Sequence, residues 1–215
     1  MTGPAVTGPA LPLHGQPNTP CGQPITLRGL YGMADADFGE PVALGEMLLE
    51  AGACVIQLRA KTWSEERVAQ ALRQLHPLCK AAGVPLIVND RAALAHLADG
   101  LHLGQDDGPF PANCGLKGRS THDVLQLHAA MQEGADYVGF GPMYTTETKA
   151  EAGPGRGLLP LAQVLQQSQI PVVAIGGITL ARLPELRRSG VRSWAVISAI
   201  LSAPDPLAAA RAFGA

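Results

Sequence analysis

The segment "LIVNDRAALAHLADGLHLGQDD" (residues 86–107) contains two short apolar runs in succession, and each run ends in polar and acidic residues. The first run stops at Asn89 and Asp90, and the second is followed closely by the acidic pair Asp106 and Asp107. An unpaired carboxylate costs several kcal/mol to bury, so such residues mark the point where a buried strand reaches water. Because two consecutive runs end in this way, the sequence predicts that both ends lie on one shared rim.

The same alternation of apolar runs and helical segments extends from residue 27 to the C-terminus. The predicted strands cover residues 27–33, 54–60, 85–90, 100–104, 115–120, 137–143, 171–177 and 193–200. The predicted helical segments lie near residues 41–51, 64–82, 91–98, 122–134, 158–168, 179–189 and 204–213. Buried strands that are each followed by a helix are typical of parallel strands joined by right-handed crossovers.

Eight such units in about 190 residues predict an α/β fold, a single (β/α)8 TIM barrel near the lower size limit of that fold. A doubly wound open sheet is the alternative, but it usually has fewer strands and a glycine-rich first turn, which "YGMADADFGE" does not supply. Only "DDGPFPANCGLK" (106–117) separates the fourth and fifth strands, and its two prolines leave little room for a helix. We therefore expect a shortened, irregular crossover there.

Composition excludes several classes of function. The chain has 215 residues, 47% of them hydrophobic, and a net charge of -2 without a basic run, which argues against a nucleic-acid partner. No apolar stretch approaches the roughly 20 residues that span a bilayer, so no membrane association is expected. The four cysteines form no CxxC pair, which predicts reduced thiols in a cytoplasmic protein rather than a zinc or redox site.

The N-terminal residues differ in character from the rest of the chain. Residues 1–24 are rich in proline and glycine and lack the basic start and apolar core of a secretory signal, which predicts a disordered arm. Residues 25–215 are predicted to form one TIM-barrel catalytic domain. A homo-oligomer is compatible with this sequence, and the sequence does not indicate its size.

TIM-barrel enzymes place their chemistry at the C-terminal ends of the strands. The polar residues predicted at that rim are Gln57, Arg59, Lys61, Asn89, Asp90, Gln105, Asp107, Ser120, His122, Thr146, Thr148 and Lys149. The last two strands are predicted to end at Gly176–Gly177 and at Ile197–Ser198. Glycine after the seventh strand favours a phosphate site, because the backbone can then approach an anion closely, although a tight turn also requires glycine.

Two aspartates at neighbouring strand ends suit Mg2+, which is usually bound by one or two carboxylates together with water and substrate phosphates. The alternative is that Asp90 belongs to a structural ion network with Arg91, Arg59 or Lys61. Basic residues on the same rim favour a diphosphate ligand. The combination predicts small phosphorylated substrates. His122 is either an acid or base or a residue of the following helix start, and the other histidines are interpreted as structural.

Taken together, these motifs resemble the thiamine-phosphate synthase family over about residues 27–210. The resemblance rests on "QLRAK", "VNDR", "DGLHLGQDD", "GRSTHD", "DYVGFGPMYTTETK", "VVAIGGI" and "AVISAI", which occur in the family's order. The chain departs from the family pattern at Thr145, where proline is usual, and in a shorter spacer after Asp107.

The resemblance implies a transferase that joins 4-amino-2-methyl-5-hydroxymethylpyrimidine diphosphate to a thiazole phosphate, releasing pyrophosphate and thiamine phosphate. It assigns the pyrimidine diphosphate to Gln57, Arg59, Lys61, Asn89, Ser120 and Lys149. It assigns Mg2+ to Asp90 and Asp107, and the thiazole phosphate to Thr146, Thr148, Gly177, Ile197 and Ser198. Arg59, Lys61, Lys149 and Ser120 are the residues implied to act in catalysis, by offsetting the charge of the leaving pyrophosphate.

Two other functions fit the same residues. A thiazole tautomerase on the same barrel is the nearest alternative, and the "GQDD" run with Asp107 argues against it. A non-catalytic thiamine-phosphate-binding protein is the other, because binding and catalytic residues coincide when catalysis depends mainly on position and charge.

Overall fold

The structure is a computed structural model, and it describes residues 27–146 and 154–214. The predicted arm and two predicted site residues, Thr148 and Lys149, lie outside the described residues. Eight parallel strands close into a barrel in chain order, with β1 paired to both β2 and β8. The TIM-barrel prediction is therefore confirmed.

The strands are β1 (Gly29–Asp35), β2 (Val55–Arg59), β3 (Leu86–Asn89), β4 (Gly100–Leu103), β5 (Leu116–Thr121), β6 (Tyr137–Phe140), β7 (Val172–Ile175) and β8 (Ser193–Val196). The helices are α1 (Pro41–Glu50), α2 (Glu65–Ala82), α3 (Val124–Gln132), α4 (Leu158–Gln167), α5 (Leu183–Arg188), α6 (Ser198–Leu201) and α7 (Pro206–Gly214), with a 3₁₀ helix at Ala92–Leu97. No helix lies between β4 and β5, so the irregular crossover is also confirmed within the described residues.

Helix boundaries follow from local capping. The Ser64 hydroxyl accepts a hydrogen bond from the Arg67 amide at 3.3 Å at the start of α2, and Gly83 ends that helix in the left-handed region. The helix predicted near residues 122–134 begins two residues later than predicted, at Val124. Asp123 caps α3 through the Gln126 amide at 2.8 Å, because its carboxylate satisfies a free N–H group of the first turn.

Two further predicted boundaries were wrong. The eighth strand was predicted to reach residue 200, but β8 ends at Val196 and the short helix α6 begins at Ser198. The sixth predicted helical segment began at residue 179, whereas α5 begins at Leu183. In both places apolar residues continue past the strand or into the loop, so hydrophobicity alone does not mark the change of backbone conformation.

The apolar core has two layers. One layer lies between the outer face of the strands and the helices and includes Leu48, Leu72 and Leu86. The other fills the barrel interior and includes Tyr31, Met33, Ile87 and Tyr137. Successive strand residues point to opposite faces, so most strands supply both layers. Among the described residues, no helix is long and apolar enough to cross a membrane.

Candidate active site

A pocket opens at the C-terminal ends of the strands, in the mouth of the barrel. Eight of the predicted site residues line it, namely Gln57, Arg59, Asn89, Ser120, Thr146, Gly177, Ile197 and Ser198. They come from both halves of the barrel, so barrel closure brings together segments that are far apart in the chain. Lys61, Asp90 and Asp107 lie on the loops that directly follow β2, β3 and β4.

Asp90 and Asp107 come together at the ends of neighbouring strands. Asp90 adopts a left-handed backbone conformation (φ 58°), which is uncommon for a residue other than glycine. Its backbone amide donates a hydrogen bond to the His102 carbonyl at 2.9 Å. Burial raises the pKa of the Asp90 carboxyl, and the adjacent Asp107 carboxylate raises that pKa further. Asp107 also accepts a hydrogen bond from the Gly104 amide at 2.6 Å. Two acidic groups in mutual contact form a donor set that favours a cation.

Of the three basic residues weighed as structural partners of Asp90, Lys61 lies closest to it. Its Nζ is 3.6 Å from an Asp90 oxygen, and the lysine side chain remains about half exposed. Arg91 instead donates one Nη2 group to the carbonyls of Ala60, Lys61 and Trp63 at 2.8–3.2 Å. Arg91 therefore fixes the loop that carries Lys61.

Arg59 is buried and is held by two acidic residues, one at the last position of β1 and one just after it. Its Nη1 lies 2.7 Å from Asp35 and 3.1 Å from Asp37. Burial raises the pKa of Asp35, and the charge of Arg59 opposes that rise. Among the described residues, no group accepts a hydrogen bond from the buried Arg59 Nε. Because Arg59 lines the mouth, this orphaned donor suits an anionic ligand.

The barrel interior beneath the mouth is partly polar. Gln57 Nε2 lies 2.9 Å from the Tyr31 hydroxyl, which lies 2.7 Å from the Tyr137 hydroxyl. His102 Nδ1 lies 3.2 Å from that second hydroxyl, and His102 Nε2 lies 3.0 Å from Ser120 Oγ. Two predicted substrate residues, Gln57 and Ser120, are thus joined through buried side chains.

His122 lines the same mouth, and its ring is fixed. Its Nδ1 contacts the Gly141 carbonyl, which can only accept a hydrogen bond, so Nδ1 carries a proton. The N-cap of α3 is Asp123, and His122 directly precedes it, with its backbone amide donating to Gln126 Oε1 at 2.8 Å, so His122 does lie at the start of that helix.

A second pocket adjoins the mouth on its outer side, next to β7 and β8. Thr146, Gly177 and Ser198 line both pockets. Gly177 has a positive φ (64°), and a Cβ there would lie 2.8 Å from the Thr145 carbonyl oxygen, so its position requires glycine.

Arg182 is the only charged side chain among the described residues that line this outer pocket. Its Nη1 donates to the Gly177 carbonyl at 2.7 Å, and its guanidinium lies 4.3 Å above the centre of the Tyr144 ring. The Tyr144 hydroxyl donates to Glu185 at 2.6 Å, and burial is the main reason why its pKa is raised to about 12. The arginine is therefore held in place beside Gly177.

Sequence reasoning missed several residues of this site, namely Asp35, Tyr31, His102, Tyr137 and Arg182. Asp35 carried a usable signal, because it ends an apolar run just as Asp90 does. His102 was interpreted as structural, yet it lines the mouth and contacts Ser120. Its single polar position inside "GLHLG" becomes informative only once the inward face of β4 is known.

The profile of the family described as "Thiamine monophosphate synthase" matches residues 30–200. The chain is 45% identical over 174 residues to the thiamine-phosphate synthase of Roseiflexus castenholzii, covering 76% of this chain and 75% of that protein. It is 42% identical over 176 residues to the thiamine-phosphate synthase of Chloroflexus aurantiacus, covering 79% of this chain and 82% of that protein.

A third relative, the thiamine-phosphate synthase of a Synechococcus species, is 43% identical over 174 residues that cover 77% of this chain. The match spans about half of that longer protein, 49%. Among solved structures, thiamine phosphate pyrophosphorylase from Pyrococcus furiosus superposes with a TM-score of 0.79 at 31% identity, covering 86% of this chain and 93% of that one. With the barrel and its polar mouth in place, these similarities show that the chain belongs to the thiamine monophosphate synthase family.

Proposed function

We propose that this chain makes thiamine phosphate by joining 4-amino-2-methyl-5-hydroxymethylpyrimidine diphosphate to a thiazole phosphate, with release of pyrophosphate. The relatives named above are thiamine-phosphate synthases, which makes the chain a transferase acting on small phosphorylated substrates. One observation carries the proposal: an acidic pair and two cationic side chains lie at the same barrel mouth, and a second pocket that contains Gly177 adjoins it.

The diphosphate belongs on the side of the mouth formed by β2, β3 and β4. Arg59 offers its orphaned Nε, Lys61 offers a half-exposed ammonium group, and the loop of Lys61 is fixed by Arg91. Charge-assisted hydrogen bonds from such groups are about twice as strong as neutral ones. Asn89 lines the same side of the mouth, and Lys149, outside the described residues, is proposed to complete the set.

Asp90 and Asp107 are proposed to hold Mg2+ against this diphosphate. The fit rests on their mutual contact: besides burial, the neighbouring Asp107 raises the pKa of Asp90, and a bound cation would offset the repulsion between the two carboxylates. Three or more metal-binding side chains do not cluster anywhere in the described residues. Two carboxylates are nevertheless sufficient for Mg2+ when phosphate oxygens and water supply the remaining ligands. Bound Mg2+ would supply charge that stabilises the leaving pyrophosphate.

The thiazole phosphate belongs in the outer pocket, against Thr146, Gly177 and Ser198. Ile197 lines the adjoining mouth, and Thr148 lies outside the described residues. The absence of a Cβ at Gly177 lets an anion approach the backbone. In the reaction, the bond from the pyrimidine methylene carbon to oxygen breaks and its electron pair leaves with pyrophosphate. The thiazole nitrogen then donates its lone pair to the resulting pyrimidinylmethyl cation.

The chain's own residues serve this reaction by position and charge. Arg59 and Lys61 offset the negative charge that develops on the leaving group, while the two pockets hold carbon and nitrogen close together. No side chain needs to act as a covalent nucleophile.

A direct assay tests the proposal. The purified chain with Mg2+ and both substrates should release pyrophosphate and form thiamine phosphate in equal amounts, and omission of either substrate should abolish thiamine phosphate formation. Isomerisation of a thiazole carboxylate phosphate without pyrophosphate release would support the tautomerase instead. Binding of thiamine phosphate without turnover would support the non-catalytic alternative.

Replacement of Arg182 by glutamine should raise KM for the thiazole phosphate by at least about tenfold, because one charged hydrogen-bond donor is lost from the outer pocket. KM for the pyrimidine diphosphate should remain within about twofold, since Arg182 does not line the main mouth. Steady-state kinetics with each substrate varied in turn provide the measurement. Equal changes in both KM values would show that Arg182 acts as a structural clamp on Gly177 instead.

A further inference from the structure

Five polar side chains form a continuous hydrogen-bonded relay through the barrel interior, in the order Gln57, Tyr31, Tyr137, His102 and Ser120. Three of its members are not among the residues assigned to substrates. Tyr31, Tyr137 and His102 are buried, at 2%, 1% and 9% exposure. Burial also raises the pKa of both tyrosines, so their hydroxyls stay neutral and each can donate one hydrogen bond.

The chemistry of the first member sets the direction of the whole relay. Gln57 Nε2 can only donate, so the Tyr31 oxygen accepts from it. In the described part of the chain, the remaining polar partner of the Tyr31 hydroxyl is Tyr137, so Tyr31 donates to Tyr137. A reversed relay would leave the buried Tyr31 hydroxyl hydrogen without an acceptor, which is costly.

The same logic continues to the mouth. Tyr137 has accepted from Tyr31 and therefore donates to His102 Nδ1. A neutral imidazole that accepts at Nδ1 carries its proton on Nε2, so His102 donates to Ser120 Oγ. The Ser120 hydroxyl hydrogen then remains for a ligand. At the other end, the commitment of Gln57 Nε2 to Tyr31 leaves Oε1 as an acceptor for the pocket.

We propose that this relay is a specificity device, which fixes Ser120 as a hydrogen-bond donor and Gln57 as an acceptor for the edge of an aminopyrimidine ring. Such an edge presents a ring nitrogen that accepts and an amino group that donates, which is the complementary pattern. The identity of the substrate in this inference rests on the proposed function. The direction of the relay is independent of that function. Tyr31, Tyr137 and His102 are positioning residues, because they act through Gln57 and Ser120.

A neighbouring glycine makes room for the relay. A Cβ on Gly118 would lie 2.3 Å from the Tyr137 side chain and 2.5 Å from His102 Nδ1. A Cβ on Gly139 would lie 3.4 Å from His102 Cε1. A side chain at position 118 would therefore displace the tyrosine or the histidine, whereas a Cβ at position 139 would make only an ordinary van der Waals contact with the histidine ring.

The first test reads the histidine proton directly and needs no substrate. Two-bond ¹H–¹⁵N NMR correlations on the wild-type chain, assigned with His102→Gln, should show His102 as the neutral Nε2–H form. His122 provides an internal standard of the opposite kind, because its Nδ1 donates to a carbonyl. A neutral Nδ1–H form at His102 would overturn the proposed direction.

The second test breaks the relay at its centre with Tyr137→Phe and at its other end with Tyr31→Phe, each of which removes one hydroxyl. Tyr137→Phe releases His102, and through it Ser120, from a fixed proton arrangement, and Tyr31→Phe releases the Gln57 amide. Each variant should raise KM for the pyrimidine diphosphate at least about fivefold and leave KM for the thiazole phosphate within about twofold.

Discrimination is the readout that a merely structural role would not change. Inhibition constants should be compared for an unreactive analogue of the 4-amino pyrimidine diphosphate substrate and for its deaminated 4-oxo counterpart, in which the donor and the acceptor of the ring edge are exchanged. The wild-type chain should prefer the amino form, and both variants should lose most of that preference. His76→Gln is the control, because His76 does not line the mouth and its Nε2 lies 3.0 Å from Asp99 Oδ1. This variant should retain the preference for the amino form.

Unchanged discrimination in both folded variants would overturn the specificity role. If thermal unfolding shows that one variant does not fold, the other variant and the NMR experiment still decide the matter. A wild-type chain without synthase activity would refute the proposed function alone, because the proton on His102 can be read in its absence.

Discussion

Chelation of divalent cations with EDTA should abolish pyrophosphate release, and Asp107→Asn should lower that rate at least about tenfold at low Mg2+. The amide keeps the shape of the side chain but removes one of the two negative charges that face each other at the ends of β3 and β4. Raising the Mg2+ concentration should restore part of the rate, because the substitution weakens metal binding without removing Asp90. Mg2+-dependent pyrophosphate release provides the measurement.

Asp106→Asn is the matched control, because it changes the same charge at the adjacent exposed position. We expect it to keep the wild-type dependence on Mg2+. Thermal unfolding of the Asp107 variant should also change little, since Asp107 is itself exposed at the rim. The structural alternative predicts retained activity and a loss of roughly 3 to 5 kcal/mol, as when a buried ion pair is broken. Full wild-type activity in EDTA would refute the metal-assisted mechanism.

Arg59→Gln should have the largest combined effect on activity and stability. The variant loses a cation of the proposed diphosphate site, so kcat/KM should fall by at least about a hundredfold. A loss of that size is typical when one hydrogen-bond donor that stabilises a transition state is removed. It also leaves Asp35, whose side chain is 1% exposed, without the guanidinium at 2.7 Å. We expect the free energy of unfolding to fall by about 3 to 5 kcal/mol. Denaturant unfolding measures this loss.

Arg211→Gln provides the matched control for stability. Arg211 and Glu50 also form a pair at 2.8 Å, but their side chains are 55% and 60% exposed. Exposed pairs contribute about 0 to 1 kcal/mol, so this variant should be nearly neutral. Comparable losses in the two variants would show that the Asp35–Arg59 pair is not energetically special.

The stability loss in Arg59→Gln should depend on pH in a defined direction. Burial already raises the pKa of Asp35, and loss of the arginine removes the charge that opposes this rise. A carboxyl whose folded-state pKa exceeds its unfolded-state pKa destabilises the fold as pH increases through that interval. The difference between variant and wild type should therefore be larger at pH 8 than at pH 5. An equal difference at both values would contradict this account of Asp35.

The sequence was sufficient for the residues that local position defines. Asp90, Asp107 and Gly177 follow apolar strands, and parallel connectivity places the ends of all such strands on one rim. Irregular structure between β4 and β5 followed equally from two prolines in a short spacer. These features depend on chain order and residue type alone, so they could be predicted without knowing which side chains touch.

The sequence by itself determined the order of the eight strands and most of the residues at the rim, because strand periodicity and right-handed crossovers leave few alternatives. The tertiary structure decided which partners those residues find. Tyr31 and Tyr137 are 106 positions apart and meet only because the closed barrel points both side chains inward. Arg59 is oriented by Asp35 because β1 and β2 pair in a register that sets these two residues side by side. Contacts of this kind depend on register and closure, which many long-range contacts determine together, and no local pattern in the chain encodes them.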